Sequence, residues 1–524
     1  MKVKRALISV SDKTGLDEFV KGLHKLGIDM LSTGGTAKRI RELGIPVRDV
    51  SDYTGFPEML DGRVKTLHPK VHGALLSLRD NPEHMAKVKE HGIELIDMVV
   101  VNLYPFEKTV QKEGVRLEEA IENIDIGGPS MLRSAAKNYK SVAVITNPSK
   151  YHEILEELMD SKGSLSEKTL SDLALEVFKL TSRYDNAIYN FLHGRLEKEA
   201  ESAQLERFPK TLQLRYEKAQ ELRYGENPHQ KASFYIDKGI DEPSVSTTKQ
   251  LHGKELSFNN ILDINAALEI VKDYEEPAVT IIKHSNPCGT AVAPTIEKAF
   301  KDALACDPMS AFGGIIGLNR EVDTKMAGII AKSGFVECII APKYSDKALE
   351  ILKEKKNVRL MEVPGFGKKP RGSDYDMKKV TGGMLVQDRD LKTITEKDLK
   401  VVTKKKPTKS EIESMLFGWR LCKHVKSNAI LFCQGTKTVG VGAGQMSRVD
   451  SVMIAAHKAG KKSKGAVLIS DAFFPKPDGI EGAKKAGIAA IIQPGGSIQD
   501  EEIIKTADKL GMSMVFTGVR HFKH

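Results

Sequence analysis

The first ~195 residues alternate short apolar runs with segments of helical spacing, and that alternation constrains the fold more than any other feature. Ala6–Val10 has the make-up of a strand buried on both faces, and Leu16, Phe19, Val20, Leu23 and Leu26 then follow helical spacing. Asp29–Leu31 leads into Ser32-Thr-Gly-Gly-Thr36, with a helix expected from near Ala37. Met98–Asn102 and Ser141–Thr146 supply further strands. Such alternation predicts a parallel α/β sheet flanked by helices. A charged helical stretch from Tyr151 to about Ala200 closes the unit, and Leu196–Arg207 reads as a connector.

A chain of 524 residues exceeds what one core usually serves, so a second domain is expected. From about Ser202 the pattern is mixed α/β. Strands are expected at Ala278–Lys283, Gly313–Leu318, Ile339–Ala341, Thr438–Val441, Ala466–Ser470, Ala489–Ile492 and Met514–Phe516. Lys392–Lys409, with Pro407, reads as a surface linker between two sub-lobes. No short-period repeat is visible.

Composition narrows the function. No apolar run approaches the ~20 residues of a membrane span. The basic start is followed by an apolar piece only a strand long, which is not a signal peptide, so a cytoplasmic protein is expected. Five cysteines at 288, 306, 338, 422 and 433 are widely spaced without C-x-x-C. That argues against a disulfide framework and a zinc site, and no metal is expected. The net charge of +10 comes without a nucleic-acid motif, which favours small polyanionic metabolites as partners over nucleic acid.

Four segments of the first half carry candidate chemistry. Ser32-Thr33-Gly34-Gly35-Thr36 follows a strand and opens a helix, where free N–H groups favour an anion. A plain turn with an N-cap accounts for it equally well. Ser9-Val-Ser-Asp-Lys-Thr-Gly15 also leaves a strand end and offers Ser11 and Lys13. Arg63, Lys65 and Thr66 could close on a phosphate. Ile124-Asp125-Ile-Gly127-Gly128-Pro-Ser130 would present N–H groups to an oxyanion, with Lys137 two turns further on and Tyr104 at the end of an apolar strand. A carboxylate, a phenol and an amine in one pocket can transfer protons.

In the second half, Arg223-Tyr224 lies in a turn-rich run. An apolar strand ends at Lys283-His284, after which Asn286-Pro-Cys-Gly289 is expected to turn away. A Lys-His pair there can serve as acid, base or oxyanion partner, or face solvent as a plain basic pair. Asn428 precedes Gly440–Arg448, whose glycines suggest a phosphate cradle. Ser470-Asp-Ala-Phe473-Phe-Pro475 offers two rings for stacking on a heterocycle. The tail, Phe516–His524, runs from a strand into cations, imidazoles and a ring, and reads as tied down.

Together these motifs resemble the bifunctional purine-biosynthesis enzymes that join phosphoribosylaminoimidazolecarboxamide formyltransferase to IMP cyclohydrolase. The resemblance spans the chain. It implies a methylglyoxal-synthase-like cyclohydrolase domain over 1–198. It also implies a formyltransferase over 199–524, built of two cytidine-deaminase-like lobes without zinc. It implies formyl transfer from 10-formyltetrahydrofolate as co-substrate to the imidazole carboxamide ribotide, then dehydrative closure to IMP, in a homodimer. By that resemblance Lys283 steadies the formyl oxygen, His284 manages the amine proton and Asn428 orients the formyl group. Arg223, Tyr224, Arg448, Arg520 and Phe522 hold the nucleotide, and Phe473 and Pro475 line its ring and the folate. Ser11, Lys13, Ser32, Gly35, Lys65 and Thr66 contact phosphate and ribose, with Thr33, Gly34, Arg63 and Gly128 beside them. Tyr104, Asp125, Gly127 and Lys137 form the ring-closing group. Lys476, Val519 and Lys523 stand where relatives often carry Phe, Met and Arg.

Overall fold

Arg5–Val10 (β1), Asp29–Ser32 (β2), Arg48–Asp49 (β3), Met98–Asn102 (β4) and Ala143–Ile145 (β5) pair in parallel in the order β3-β2-β1-β4-β5. Of these strands β1, β4 and β5 lie in the middle of an apolar core, with Leu7, Ile8, Val99, Val100 and Val144 fully buried. After β1 the chain builds outward to β2 and β3, then returns to the other side for β4 and β5. The reversal between β1 and β4 is a topological switch point, where open α/β sheets bind ligands beyond the strand ends. The computed structural model describes all residues except 61–63, 111, 113, 200–207, 209, 241 and 368–373. It divides the chain into two bodies, Met1–Pro209 and Lys210–His524.

Helix α1 (Leu16–Lys25) turns its buried Leu16, Phe19, Val20 and Leu23 to the sheet, as the spacing predicts. Helix α2 (Gly34–Glu42) starts three residues earlier than expected. Its two glycines form the first turn, where N–H groups have no partner within the helix. The stretch expected as one helix from Tyr151 is two, Tyr151–Asp160 and Glu167–Glu199. Lys162 and Gly163, at φ 55° and 92°, break it. Helix α3 (Gly127–Lys137) enters beside β4. Part of the expected connector, 200–207, lies outside the described residues.

The second body opens on a hairpin, Glu217–Leu222 (β6) with Ala232–Ile236 (β7). A twelve-stranded sheet follows, and its chain order repeats. Lys249–His252 (β8), Phe258–Lys272 (α4), Ala278–Lys283 (β9), Asn286–Val292 (β10) and Ile296–Leu304 (α5) come first. Gly314–Leu318 (β11), Thr324–Lys332 (α6), Val336–Ala341 (β12), Asp346–Lys353 (α7) and Arg359–Glu362 (β13) complete the first lobe. A second hairpin, Tyr375–Val380 (β14) with Gly383–Asp388 (β15), intervenes.

The second lobe runs Lys400–Val401 (β16), Lys409–Cys422 (α8), Ile430–Gln434 (β17), Lys437–Gly442 (β18) and Arg448–Ala459 (α9). It continues with Val467–Ser470 (β19), Asp478–Lys485 (α10), Ala490–Gln493 (β20), Asp500–Lys509 (α11) and Ser513–Phe516 (β21). Strand order is β16-β21-β20-β19-β17-β18-β10-β9-β11-β12-β13-β8. Each lobe pairs its strands in the same sense, and antiparallel β10 and β18 form the seam.

Three expectations change here. Asn286–Gly289 is not a turn but the start of β10, and the turn is His284-Ser285. Lys392–Lys409 does join the lobes, yet it also lends β16 to the sheet edge, with the Lys404 N–H bound to Asp508. In the Gly440–Arg448 run, expected to cradle a phosphate, Gly440 and Gly442 serve packing. A Cβ at Gly442 would stand 2.0 Å from the Ser451 carbonyl of α9, so the glycine lets the helix approach β18. Gly289 does the same in the first lobe, with the Ala303 carbonyl of α5 at 2.0 Å.

Candidate active sites

In the first body the strand ends at the switch point carry the candidate residues. The Ser11 hydroxyl donates to Asn102 Oδ1 at 2.8 Å and its N–H to the same atom at 2.7 Å, which ties the end of β1 to that of β4. Lys13 beside it is exposed. Ser32, Thr33, Gly34 and Lys65 line one pocket with Asp49, Val50, Ser51, Phe56 and Glu58. Ser32 lines it without offering a proton, because its buried hydroxyl donates to the Ile8 carbonyl at 2.7 Å. Thr33 pairs with Ser9 at 3.1 Å. Lys65 Nζ lies 2.8 Å from Glu58 and against Gly34, where a Cβ would meet it at 3.1 Å. Gly35 sits in the first turn of α2, and Arg63 lies outside the described residues.

Thr66 connects this pocket to α3, since a Cβ on Gly127 would stand 2.8 Å from its Oγ1. Asp125 caps the same end. Its Oδ1 accepts the Gly128 N–H at 2.8 Å, and a Cβ at Gly128 would collide with its Oδ2 at 2.5 Å. Burial pushes the Asp125 carboxyl above its ordinary range, against the Gly128 and Tyr104 backbone N–H groups that favour the anion. The Tyr104 ring is exposed and clear of the core. Lys137 ends α3, about two turns beyond Ser130 as expected and about 15 Å along the axis from Gly127. His68 and His72, the two histidines nearest this pocket in sequence, are structural. His68 Nδ1 accepts the Lys70 N–H at 3.1 Å, and His72 Nδ1 lies 3.0 Å from Ser134.

In the second body the candidates meet at the end of the seam where β9 finishes and β17 begins. His284 and Ser285 form a two-residue turn with φ 52° and 60°, left-handed values that glycine and asparagine usually supply. Lys283 Nζ donates to the Phe312 carbonyl at 2.7 Å, beside the exposed pair Phe312 and Phe335. Asn428 is more engaged than its expected role suggests. Its Nδ2 donates to the Gln445 carbonyl at 2.8 Å and the Met446 carbonyl at 3.2 Å, and its Oδ1 accepts from Arg448 at 2.7 Å. Arg448, expected to grip the nucleotide, is 7% exposed. Its guanidinium also bonds Ser470 and is ion-paired with fully buried Asp471. It holds Asn428 from within.

Arg223 and Tyr224 stay outside as a stacked pair, guanidinium 4.7 Å from the ring centroid, with an Nη2–Oη bond of 2.9 Å. Phe473 and Pro475 are exposed, but Phe474 is buried, so one ring faces outward where two were expected. The tail is tied down and alternates. Arg520 and Phe522 face out as a cation–π pair at 4.3 Å. His521 turns in, its Nδ1 2.6 Å from Asp390 and its N–H on the Asp471 carbonyl at 3.0 Å. The Lys523 carbonyl accepts the Ser427 N–H at 2.8 Å. Cys288 is buried in β10, and burial pushes its thiol up to about 12, which removes it as a nucleophile. Sequence reading missed Asp263, Asn286, Phe312 and Asp471. Asn286 and Asp471 sat in motifs already singled out, where Asn286 was read as a turn former and Asp471 was given no role.

Residues 135–458 match the family model described as AICARFT/IMPCHase bienzyme, and residues 15–130 match that of an MGS-like domain. The bifunctional purine biosynthesis protein PurH of Magnetococcus marinus is 56% identical, over the whole of both chains. PurH of Acetivibrio thermocellus is 54% identical and that of Ruminiclostridium cellulolyticum 53%, again over the whole of both chains.

Proposed function

The chain belongs to the AICARFT/IMPCHase bienzyme family, and from that premise we propose how its residues divide the two reactions. It is a bifunctional enzyme of the last two steps of purine biosynthesis to IMP, with formyltransferase and IMP cyclohydrolase activities.

Formyl transfer falls to the second body, and the Lys283-His284 end of β9 carries that assignment. The 5-amino nitrogen of the ribotide attacks the formyl carbon of 10-formyltetrahydrofolate. Lys283, with no carboxylate partner among the described residues, stabilises the oxyanion that forms. His284 takes the amine proton and returns it to N10 of the departing tetrahydrofolate, so one C–N bond forms and one breaks. Asn428 orients the formyl group through the edge of a carboxamide that Arg448 and the 445–446 carbonyls keep fixed. Arg223, Tyr224, Arg520 and Phe522 face outward and suit a phosphorylated, ring-bearing ligand. Exposed Phe473, Pro475, Phe312 and Phe335 suit the folate.

Ring closure falls to the first body. The carboxamide nitrogen attacks the formyl carbon, and water leaves. Ser11, Lys13, Thr33, Gly34, Gly35, Lys65, Thr66 and Arg63 take phosphate and ribose. Asp125, with its raised proton affinity, exchanges protons at the closing ring. Gly127 at the start of α3 receives the oxyanion, Gly128 fixes Asp125 through its N–H, and Tyr104 covers the ring. Lys137, far along α3, acts through charge rather than contact. A cytoplasmic homodimer completes the proposal. Five buried free thiols support a reducing compartment, and among the described residues no helix is long and apolar enough to cross a membrane.

The test supplies wild type, Lys283→Ala/His284→Ala and Asp125→Asn with the ribotide and 10-formyltetrahydrofolate, and separately with the formylated intermediate. The double variant loses only the first step and Asp125→Asn only the second. Wild type making no IMP from either substrate would overturn the reading.

A further inference from the structure

The turn that carries His284 is costly to hold. Two consecutive non-glycine residues take left-handed backbone angles, which residues bearing a Cβ adopt only at a cost. Outside groups hold both. The Ser285 N–H donates to Asp263 Oδ1 of α4 at 2.6 Å, and the His284 carbonyl accepts Asn286 Nδ2 at 3.2 Å. The other end of that Asn286 side chain reaches across the seam. Its Oδ1 accepts the N–H of Lys426, 140 residues further on, at 3.0 Å. Lys426 in turn accepts the Gly444 N–H at 2.7 Å, two residues before Asn428, whose own N–H bonds the Gln445 carbonyl at 3.2 Å.

One carboxamide therefore touches the backbone of both lobes, with its donor on the His284 turn and its acceptor on the strand approach that carries Asn428. We propose that Asn286 is a positioning residue of formyl transfer. It sets the distance between the proton-handling imidazole of the first lobe and the formyl-orienting amide of the second. Among the described residues, both hydrogen-bond partners of its side chain belong to those two segments. Aspartate at 286 would keep the acceptor for Lys426 but set a carboxylate against the His284 carbonyl. Alanine would remove both contacts. The expected signature is a fall in kcat with KM little moved, because ground-state binding relies on other residues.

This inference rests on the roles given above to His284 and Asn428, and the experiment separates the two. Formyl-transfer kcat and KM, ring closure of the formylated intermediate, and melting temperature are measured for Asn286→Ala, Asn286→Asp, Asn428→Ala and Asn286→Ala/Asn428→Ala. The account expects Asn286→Ala and Asn286→Asp each to lower formyl-transfer kcat at least about tenfold, with KM for the ribotide within about threefold and ring closure unchanged. It expects Asn286→Ala to cost less than about twofold more once Asn428 is already alanine, since residues acting as one unit do not add. If Asn428→Ala leaves formyl transfer intact, the assignment of Asn428 fails. If Asn428→Ala is impaired but both Asn286 variants keep kcat within twofold, or if the two losses multiply in full, the strut is overturned. Asn286→Asp guards against misfolding, because it preserves size and the link to Lys426.

Discussion

The two bodies place chemistry at strand ends in different ways. In the first, one parallel sheet reverses its order between β1 and β4, and loops at that edge leave Lys13, Tyr104 and the start of α3 open to a ligand. In the second, a repeated fold meets itself at β10 and β18, and the candidate groups come from both copies. The same seam has an opposite end, where β9 begins and β17 finishes, and it is closed. There the Asn319 side chain accepts the Ala278 N–H and donates to the Tyr274 and Glu276 carbonyls, while Gln434 donates to Lys462 and Lys464 carbonyls. Asn319 follows β11 as Asp471 follows β19. The asparagine satisfies its own lobe, whereas the carboxylate binds Arg448 and Ser427 and so builds a platform for Asn428. A single sheet supplies open ends directly. A seam between copies needs polar struts, and at matching places in the two lobes Asn319 and Asp471 supply different ones.

The largest effects should separate the bodies. His284→Ala lowers formyl transfer about 10²–10⁴-fold and leaves ring closure intact, whereas Asp125→Asn does the reverse. A variant that lost both steps would break the comparison. Removing the Arg448 side chain as Arg448→Met leaves Asp471 buried and unpaired, with an expected loss of about 3–5 kcal/mol in urea unfolding and a fall in formyl transfer. Asn319→Ala at the closed end should destabilise by about 1–3 kcal/mol, since it strands buried backbone groups, yet spare kcat. A fall in kcat there would show that the two ends are not distinct. Gly289→Ala and Gly442→Ala each overpack a helix on its strand and should cost about 1–3 kcal/mol or more, and similarly. A large inequality would mean the lobes are not built alike.

The Asp125 carboxyl also makes a pH prediction. Its folded-state proton affinity is raised by burial, so its favourable contribution is present below the usual carboxylate range and is lost as pH rises through its folded pKa. Asp125→Asn should therefore unfold no sooner than wild type near neutrality, and that relative advantage should vanish in acid. Smallest of all, Lys137→Ala should raise KM for the formylated intermediate roughly two- to fivefold, and less in high salt, with kcat nearly kept.

Much of the first body was legible because its site is made of short motifs at strand ends. Ser11, Gly34 and Asp125 lie within a few residues of β1, β2 and α3. Hydroxyl direction was not legible. Ser32 turns into the core toward Ile8, which no spacing reveals. In the second body the strand β9 followed from its apolar run, whereas the alternation that turns Arg520 and Phe522 outward was not read. The repeat did not, because it lies in the pairing of elements and not in residue identity. Arg448 resembled a phosphate grip, yet its partners Asp471 and Asn428 are brought to it only by packing of β19 and α9. Asn286 next to Pro287 looked like a turn former, but the backbone had already turned at His284 and Ser285.

The central claim is that two separate sites act in succession. The direct test mixes Lys283→Ala/His284→Ala protein with Asp125→Asn protein and supplies the imidazole carboxamide ribotide and 10-formyltetrahydrofolate. The account predicts almost no IMP from either variant alone and restored IMP from the mixture, as the formylated intermediate passes from one protein to the other. A mixture as inactive as its components, with both variants folded, would contradict it.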